Sequence, residues 1–437
     1  MKRLIAATAA LAATAIQAQP YMTVNELNGD TYTFDTQEVD YIAFSDDYTE
    51  STYTDESAFR QKYFILPQNE LPEVDESLAE IGEISKESGI ARGVFYPVCE
   101  DGKISDIFRY SLPVAMRNSA TNFLANQGLR PSTPKFHGMT IEFYADCSEF
   151  EIKSYFGFTA YILIDGKRIN TERIADETTS EASYLPVKFS EKKKRLVKIY
   201  YYGTSFMGIV TDGELHKYNT RRLLICGDGD SVVAGYSNAN GLYFNWLSIV
   251  GHKLDLDIYN VGVGGSGFIK IGNNNTPNMP DRFDQYITPI SPDILIFSAG
   301  INDMGQDSAT FETQVDTYFQ KATALNNCKV VACSPYCNVV KPGTAFERMN
   351  ETIRRRALLY HVPFIDYMHA MTYDANGNCI TNNLGTEAYH NILTAENIGT
   401  YLNLEKDKVH PNLTGHNAIG TYIAHELYKV LNRMEGF

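Results

Sequence analysis

Three polar residues, one near the middle of the sequence and two close to its end, have the side chains needed for nucleophilic catalysis. Ser231 follows Gly229 and Asp230 just after an apolar run, and Asp407 lies three residues before His410. An aspartate at this spacing can hold an imidazole in one tautomer and stabilise its protonated form. A histidine oriented in this way can deprotonate a serine hydroxyl. We therefore predict Ser231 as the nucleophile, His410 as the base and Asp407 as the orienting acid.

Two further segments carry groups that can stabilise an oxyanion. Residues 260–267 read NVGVGGSG, and residues 300–303 read GIND. Attack on an ester carbonyl places negative charge on its oxygen, which needs preorganised hydrogen-bond donors. The predicted donors are the backbone N–H groups of Ser231 and Gly265 and the side-chain amide of Asn302. A glycine at position 265 lets the backbone approach the reacting centre closely.

A repeating strand–helix pattern after about residue 220 brings these segments to one edge of a sheet. The predicted strands are residues 223–226, 256–259, 293–298, 329–333 and 362–366. The predicted helices are residues 242–254, 311–326 and 346–359, followed by a helical apolar spacing over residues 418–431. This alternation indicates a parallel sheet with helices on both faces, in which ligands bind at the carboxyl ends of the strands. The first three strands end at the glycine-rich or polar segments, so we expect a site there.

The preceding part of the chain is rich in β-branched and aromatic residues. Residues 106–218 contain segments such as MTIEFYA and RLVKIYYYG without a convincing helical period, which predicts an antiparallel β-sandwich. Residues 21–45 alternate apolar and polar side chains around Asn28 and Gly29, a pattern typical of a hairpin. Residues 78–90 have the spacing of one amphipathic helix.

The first eighteen residues have the features of a cleavable secretory signal. They combine a basic start, a short apolar stretch and small residues near position 18. We therefore expect a secreted or periplasmic protein with four parts. These are a signal peptide (1–18), an N-terminal segment (19–105), a β-sandwich domain (106–218) and an α/β domain (219–437). No later segment is long and apolar enough to predict a membrane helix.

Charge and cysteine content narrow the classes of partner and cofactor. A net charge of −15 repels phosphate backbones and anionic lipids, so neither nucleic acid nor a membrane surface is expected as a partner. The seven cysteines include no CxxC pair that would suggest zinc, and Cys333 and Cys337 could form a disulfide or remain free thiols. Residues 374–379 resemble a calcium loop only loosely, because Cys379 stands where glycine is expected. We predict neither a metal nor an organic cofactor.

Each candidate residue also has a simpler interpretation. Ser231 could be a helix N-cap, Gly265 a turn glycine and Asn302 a turn or capping residue. Asp407 and His410 could be a surface pair. All four features occur in this order on one strand–helix pattern, and we therefore favour the catalytic interpretation.

Two other functions are compatible with parts of the sequence. Residues 262–267 fit the pattern GxGxxG after a strand, which can bind a dinucleotide when the last glycine opens a helix. The following IGNNNTPNMP, with its asparagines and prolines, argues against a helix there. A non-enzymatic glycan-binding protein is the second alternative, and the intact Ser231, Asp407 and His410 argue against it.

The glycine-rich segments resemble two sequence blocks of the SGNH, or GDSL, hydrolase superfamily. Residues 229–231 are similar to the first block, with Ser231 as the nucleophile. The segment from residue 260 is similar to the second block, with Gly265 as an oxyanion donor. One departure is that residues 227–228 stand between the predicted strand and the first block, which usually follows its strand directly.

The remaining two segments resemble the other blocks of this superfamily. Residues 300–303 match its GxND block, with Asn302 as the other oxyanion donor. Residues 407–410 match its DxxH block, with Asp407 as the acid and His410 as the base. The resemblance covers about residues 220–437.

This resemblance implies a fold and an activity. The fold is a three-layer α/β/α, flavodoxin-like domain, and the activity is hydrolysis of esters or thioesters without a metal or organic cofactor. A β-sandwich (jelly-roll-like) domain before such a catalytic domain is similar to two-domain carbohydrate esterases that remove acetyl groups from plant polysaccharides. We therefore expect a secreted serine esterase acting on acetylated carbohydrate or another small ester. A lipase or thioesterase for longer acyl chains is the alternative within this family.

Overall fold

The structure is a computed structural model that describes residues 21–25, 31–35, 69–116, 128–178, 181–203, 205–236, 243–336, 345–368 and 409–433. Strands β1 (Tyr21–Asn25) and β2 (Thr31–Asp35) pair antiparallel. They match the hairpin predicted for residues 21–45, whose turn lies outside the described residues, as does the predicted signal peptide. Residues 68–428 group as a separate compact unit.

The first half of that unit is an antiparallel β region built on two long strands. Its strands are β3 (Glu80–Ile81), β4 (Val94–Pro97), β5 (Cys99–Glu100), β6 (Lys103–Ile104), β7 (Arg109–Tyr110), β8 (Val114–Met116), β9 (Leu129–Pro131), β10 (Met139–Tyr155), β11 (Phe158–Ile164), β12 (Lys167–Arg168), β13 (Ile174–Ala175), β14 (Ala182–Gly203), β15 (Phe206–Thr211) and β16 (Glu214–His216). The main hydrogen-bonded order is β12-β11-β14-β10-β15-β9-β8.

Strands β10 and β14 pair along nearly their whole length and carry the core of the β region. Met139 lies opposite Tyr201, and the pairing continues through a bulge near Cys147 to the far end of both strands. Alternate side chains such as Val197 and Ile199 are buried, as expected for strands with one face in a core. The predicted antiparallel β region is therefore present.

The helix predicted for residues 78–90 is wrong. The chain makes only a short 3₁₀ turn at Glu76–Leu78 and then enters strand β3, where Ile81 lies opposite Val187 of β14. Pairing with a long neighbouring strand satisfies the backbone there, and this tertiary contact overrides the local helical spacing.

The second half of the unit is a five-stranded parallel sheet with helices. Its strands are β17 (Leu224–Gly229), β18 (Asp257–Asn260), β19 (Ile294–Ser298), β20 (Lys329–Cys333) and β21 (Phe364–Ile365). Its helices are α1 (Ser231–Ala234), α2 (Trp246–Lys253), α3 (Met279–Tyr286), α4 (Ser308–Thr323), α5 (Ala345–Leu359) and α6 (Leu413–Arg433). The strand order β18-β17-β19-β20-β21 is the order of flavodoxin-like folds.

The helices form two packed groups. Helices α3, α4 and α5 pack in sequence against one another. Helix α6 crosses α2 so closely that a Cβ at Gly420 would lie 2.5 Å from the Cβ of Ile249. Right-handed crossovers place α2 on one face of the sheet and α3 to α5 on the other. This arrangement fits the predicted α/β domain. No described helix is long and apolar enough to cross a membrane.

Strand β17 is longer than the sequence suggested, because residues 227–228 belong to it. Gly227 lies opposite Asn260 of β18, and a Cβ at this glycine would lie 2.3 Å from the Leu247 side chain. Asp228 is fully buried and paired with Arg282. The apparent insertion before the first block is therefore part of the strand, and only Asp230 stands between the strand end and Ser231.

Helix α3 was not predicted, although its start carries ordinary helix signals. Asn278 caps it by accepting a hydrogen bond from the Asp281 N–H (3.0 Å), and Pro280 stands in the first turn. The preceding Asn273–Asn275 form a 3₁₀ turn. No helix opens at Gly267, as the sequence analysis expected.

A buried network of charges joins the β region to the parallel sheet. The Glu142 carboxylate in β10 accepts hydrogen bonds from Arg109 (2.6 Å) and Arg222 (2.7 Å), and Arg109 also binds Asp257 of β18. Burial alone would raise the pKa of Glu142, but the cations of Lys198, Arg222 and Arg109 outweigh it and lower that pKa. The carboxylate therefore stays charged at the junction.

The second junction is a neutral histidine. His252 of α2 donates its Nε2–H to the Tyr243 carbonyl (3.1 Å) and accepts at Nδ1 from the Tyr200 hydroxyl of β14 (3.1 Å). Burial, with help from the Lys198 cation, lowers the pKa of His252 to about 3. The folded chain therefore binds fewer protons than the unfolded chain when the pH is between about 3 and 6.5.

Acid should therefore destabilise the protein in part through His252. The stability that this neutral ring contributes is lost as the pH falls below about 6.5, by about 1.4 kcal/mol for each pH unit. We expect His252→Gln to lose less stability than the wild type between about pH 7 and pH 5, measured by thermal unfolding. The exposed His216→Gln is the control and should follow the wild type. Parallel curves for the wild type and His252→Gln would contradict this assignment.

Candidate active site

The structure brings Ser231 and His410 into contact although they are 179 residues apart in the chain. The His410 Nε2 atom lies 2.7 Å from the Ser231 Oγ atom, which is a hydrogen-bond distance. Ser231 is 9% exposed at the first position of α1, and His410 lies three residues before α6. Asp407 lies outside the described residues, so its predicted role stays a prediction.

The backbone around Ser231 is held in a tight strand-to-helix turn. A Cβ at Gly229 would lie 2.1 Å from the Ser298 carbonyl oxygen, so only glycine fits there. Asp230 is the N-cap of α1, since its carboxylate accepts the Val232 N–H (2.8 Å). Ser231 is therefore not the cap, and its hydroxyl is directed to His410. Burial raises the pKa of Asp230 to about 7.

His410 is positioned from both sides along the chain. The Tyr336 hydroxyl, just after β20, donates to the Val409 carbonyl (2.9 Å). On the other side, the Asn412 side-chain oxygen accepts the Gly415 N–H (3.0 Å) and caps the first turn of α6. The helix therefore starts at Leu413, two residues after Pro411, because Asn412 supplies the capping acceptor.

An aromatic side chain that the sequence analysis did not select lies against the histidine. The ring of Tyr236 packs on the His410 ring with 4.7 Å between the ring centroids. Tyr236 remains 54% exposed. Its position five residues after Ser231, at the end of the α1 turn, was the only signal in the sequence.

The glycine-rich loop after β18 lies against Ser231. A Cβ at Gly264 would lie 3.9 Å from the Ser231 Cβ. Gly265 has φ of +75°, and a Cβ there would lie 2.9 Å from the Asn273 side chain, so glycine is needed at this position. Within the described residues, the N–H groups of Ser231 and Gly265 have no hydrogen-bond acceptor. Both groups remain available to an oxyanion.

Asn302 joins the same loop from the end of β19. Its Nδ2 donates to the Ser266 carbonyl (2.9 Å). A side-chain amide has two N–H donors, so one remains for an oxyanion. The three predicted donors therefore come from segments that contact one another.

Asp303, next to Asn302, connects the end of β19 with the residues that follow the glycine-rich loop. Its carboxylate accepts the backbone N–H groups of Phe268 (2.7 Å), Ile269 (3.2 Å) and Lys270 (2.9 Å). A Cβ at Gly267 would lie 2.2 Å from this carboxylate, which explains the last glycine of the loop. Burial raises the pKa of Asp303, against the three N–H donors that lower it.

A fully buried ion pair lies beside the turn that carries Ser231. Arg282 of α3 donates one guanidinium nitrogen to the Asp228 carboxylate (2.6 Å) and to the Gly229 carbonyl (2.9 Å). The Tyr318 hydroxyl of α4 donates to the other oxygen of Asp228 (3.0 Å). These contacts connect two helices to the strand end that carries Ser231, and nothing in the local sequence indicated Arg282 or Tyr318.

Breaking this ion pair should be costly. Arg282→Met leaves the Asp228 carboxylate buried without its cation, and we expect the free energy of unfolding to fall by about 3–5 kcal/mol. Urea unfolding at neutral pH measures this change. The control is Arg354→Met, which removes an exposed ion pair with Glu351 and should change stability little. Equal effects of the two substitutions would contradict a stabilising role for the buried pair.

The described residues contain no group of three or more His, Cys, Asp or Glu side chains that could hold a metal ion. Cys226 and Cys333 are buried free thiols. Cys337, the other half of the possible disulfide, lies outside the described residues, as do residues 374–379.

Part of the chain is similar to a known protein family. Residues 229–418 match the model of the GDSL-like Lipase/Acylhydrolase family. No curated protein matches the chain.

Solved structures of similar fold cover about three quarters of the chain. A family two carbohydrate esterase from Cellvibrio japonicus is 14% identical with a TM-score of 0.53, covering 78% of this chain and 98% of its own. An acetyl xylan esterase from Butyrivibrio proteoclasticus has the same identity, score and coverage. A family 2 carbohydrate esterase with a carbohydrate-binding domain from Corynascus thermopiles (Myceliophthora fergusii) is 17% identical with a TM-score of 0.50, covering 74% of this chain and 99% of its own.

At these identities the structural likeness shows the fold, whereas the family match covers the turn at Ser231, the glycine-rich loop and His410. Residues 229–418 are thus similar to a GDSL-like lipase/acylhydrolase domain, and this match supports a carboxylic ester hydrolase.

Proposed function

We propose that Ser231, His410 and Asp407 form a catalytic triad that hydrolyses esters through an acyl-enzyme. The observation that carries the proposal is the 2.7 Å contact between the Ser231 Oγ and the His410 Nε2. For His410 to accept the serine proton at Nε2, its own proton must be on Nδ1. Asp407 is proposed to accept that Nδ1–H and to stabilise the imidazolium.

The reaction then proceeds in two displacements. His410 takes the Ser231 proton as Oγ attacks the acyl carbonyl, and the N–H groups of Ser231 and Gly265 with the Asn302 amide bind the oxyanion. The tetrahedral intermediate collapses, its alcohol leaves with the proton from His410, and an ester to Ser231 remains. His410 next deprotonates a water that attacks this ester, and it returns the proton to Ser231 as the acid is released.

We propose acetylated polysaccharide or oligosaccharide as the substrate of a secreted or periplasmic enzyme. The support is the likeness in fold to carbohydrate esterases, among them an acetyl xylan esterase and an enzyme with a carbohydrate-binding domain. The signal-like residues 1–18 agree with export. On the same basis we propose that residues 106–218 form a sandwich of jelly-roll type.

A longer acyl chain is the second candidate substrate, and one observation favours it. Exposed apolar side chains stand on three of the segments that carry site residues. They are Tyr236 (54% exposed), Met304 (38%) and Leu413 (43%). Exposed apolar side chains of this kind provide contact area for a long acyl chain.

Loss of the nucleophile should abolish turnover. We expect Ser231→Ala to lower kcat for 4-nitrophenyl acetate by at least about 10³-fold, because no oxygen remains to form the acyl-enzyme. Ser308→Ala, an exposed serine at the start of α4, is the matched control and should keep wild-type activity. Wild-type activity of Ser231→Ala would show that another residue is the nucleophile.

The substrate class is tested with a series of 4-nitrophenyl esters beside acetylated xylan. A sugar deacetylase should prefer the C2 ester to the C8 ester and release acetate from xylan, because a small acyl pocket excludes longer chains. A preference for C8 without acetate release would support the lipase or thioesterase alternative. Binding of acetylated xylan by calorimetry without turnover of any ester would instead support a glycan-binding protein.

A further inference from the structure

A histidine of the β region makes a hydrogen bond to the glycine-rich loop. His137 lies between β9 and β10, and its Nε2 is 2.9 Å from the carbonyl oxygen of Gly262. Gly262 belongs to the glycine-rich loop that carries Gly265. A side chain of the β region therefore contacts a loop of the α/β domain, although the two residues are 125 positions apart in the sequence.

The hydrogen bond to the Gly262 carbonyl shows which nitrogen of the His137 ring carries a hydrogen. A carbonyl oxygen can only accept, so the His137 Nε2 carries the hydrogen and donates it. Burial lowers the pKa of His137 to about 4. Near neutral pH the ring is therefore uncharged and is a fixed donor to the loop.

Gly262 is the point at which the loop meets the nucleophile helix. A Cβ at Gly262 would lie 2.5 Å from the backbone nitrogen of Ala234 in α1. The Gly262 N–H donates to the Asn260 side chain (3.0 Å), which itself donates to the Val233 carbonyl of α1 (2.7 Å). The backbone at Gly262 is thus held between α1 on one side and His137 on the other.

Val263, the residue after Gly262, also connects the loop with the turn at Ser231. The Val263 N–H donates to the Gly229 carbonyl (3.0 Å), two residues before the nucleophile. A shift of Gly262 away from α1 would move the loop relative to Ser231, and with it the Gly265 N–H. Loss of a well-placed oxyanion donor lowers kcat by up to about 10²–10³-fold, so a partial displacement should have a smaller but measurable effect.

We propose that His137 is a positioning residue that holds the oxyanion loop against the nucleophile turn. This inference rests on the proposed roles of Ser231 and Gly265, and it does not depend on which ester is the substrate. The β region is then a working part of the esterase, since one of its side chains sets the geometry of a loop in the catalytic domain.

Two substitutions separate the hydrogen bond from the packing of the ring. His137→Gln keeps an N–H donor and loses the ring, whereas His137→Phe keeps the ring and loses the donor. We expect His137→Phe to lower kcat for 4-nitrophenyl acetate about tenfold with KM changed less than about twofold, and His137→Gln to recover most of that loss. If His137→Phe does not fold, His137→Ala replaces it in the comparison.

Folding is checked by far-UV circular dichroism and by the thermal unfolding midpoint, and kcat is compared between folded samples. His216→Ala in β16 is the control, because it lies in the same β region and its side chain is exposed. Equal kcat for the Phe and Gln variants, or a lower kcat for Gln, would overturn the proposal. Failure of the proposed triad is distinguishable, because it would appear as activity retained by Ser231→Ala.

Discussion

The hydrogen bond between the Ser231 hydroxyl and the His410 imidazole sets the constraint that the rest of the α/β domain satisfies. The serine stands at the end of a central strand and the histidine just before the last helix, so neither can be placed by local structure alone. The strand end holds Ser231 through the close approach of Gly229 to Ser298. Helix α6 and Tyr336 hold the histidine segment.

The segments around this pair are fastened to one another by polar groups. The Asp303 carboxylate collects three N–H groups of the glycine-rich loop, and Asn302 binds the carbonyl of Ser266 in the same loop. Asp228 and Arg282 fasten α3 to the strand end below. Each of these buried groups would be unfavourable alone, and it is stable because its partners are supplied by other segments. The catalytic geometry therefore depends on several loops being folded together.

At the junction with the β region, buried polar groups are likewise stabilised by partners from other segments. Glu142 remains charged because two arginines reach it, and His252 remains neutral because a carbonyl and a hydroxyl match its two nitrogens. His137 makes a third polar contact between the two regions, a hydrogen bond to the Gly262 carbonyl of the glycine-rich loop. A β region joined by paired polar groups has a defined orientation, whereas apolar contacts alone would be less directional.

The sequence by itself determined the alternation of strands and helices and the residue types from which a catalytic role is proposed. Ser231, Gly265, Asn302 and His410 were predicted as site residues because each follows a predicted strand or precedes a predicted helix, and strand β20 was predicted at its observed bounds. These signals are local, since they depend on apolar periodicity and on glycine or polar residues at strand ends.

Only the tertiary structure decided which residues support the site. Asp228 looked like part of a turn and is a strand residue, because Arg282 neutralises it from a helix 54 residues away. Residues 78–90 have a helical spacing, but Glu80 and Ile81 among them pair with β14, and His137 has no local pattern that connects it with Gly262. Long-range pairing of polar groups and strands leaves no periodic trace in the sequence, and for that physical reason it had to be seen in the fold.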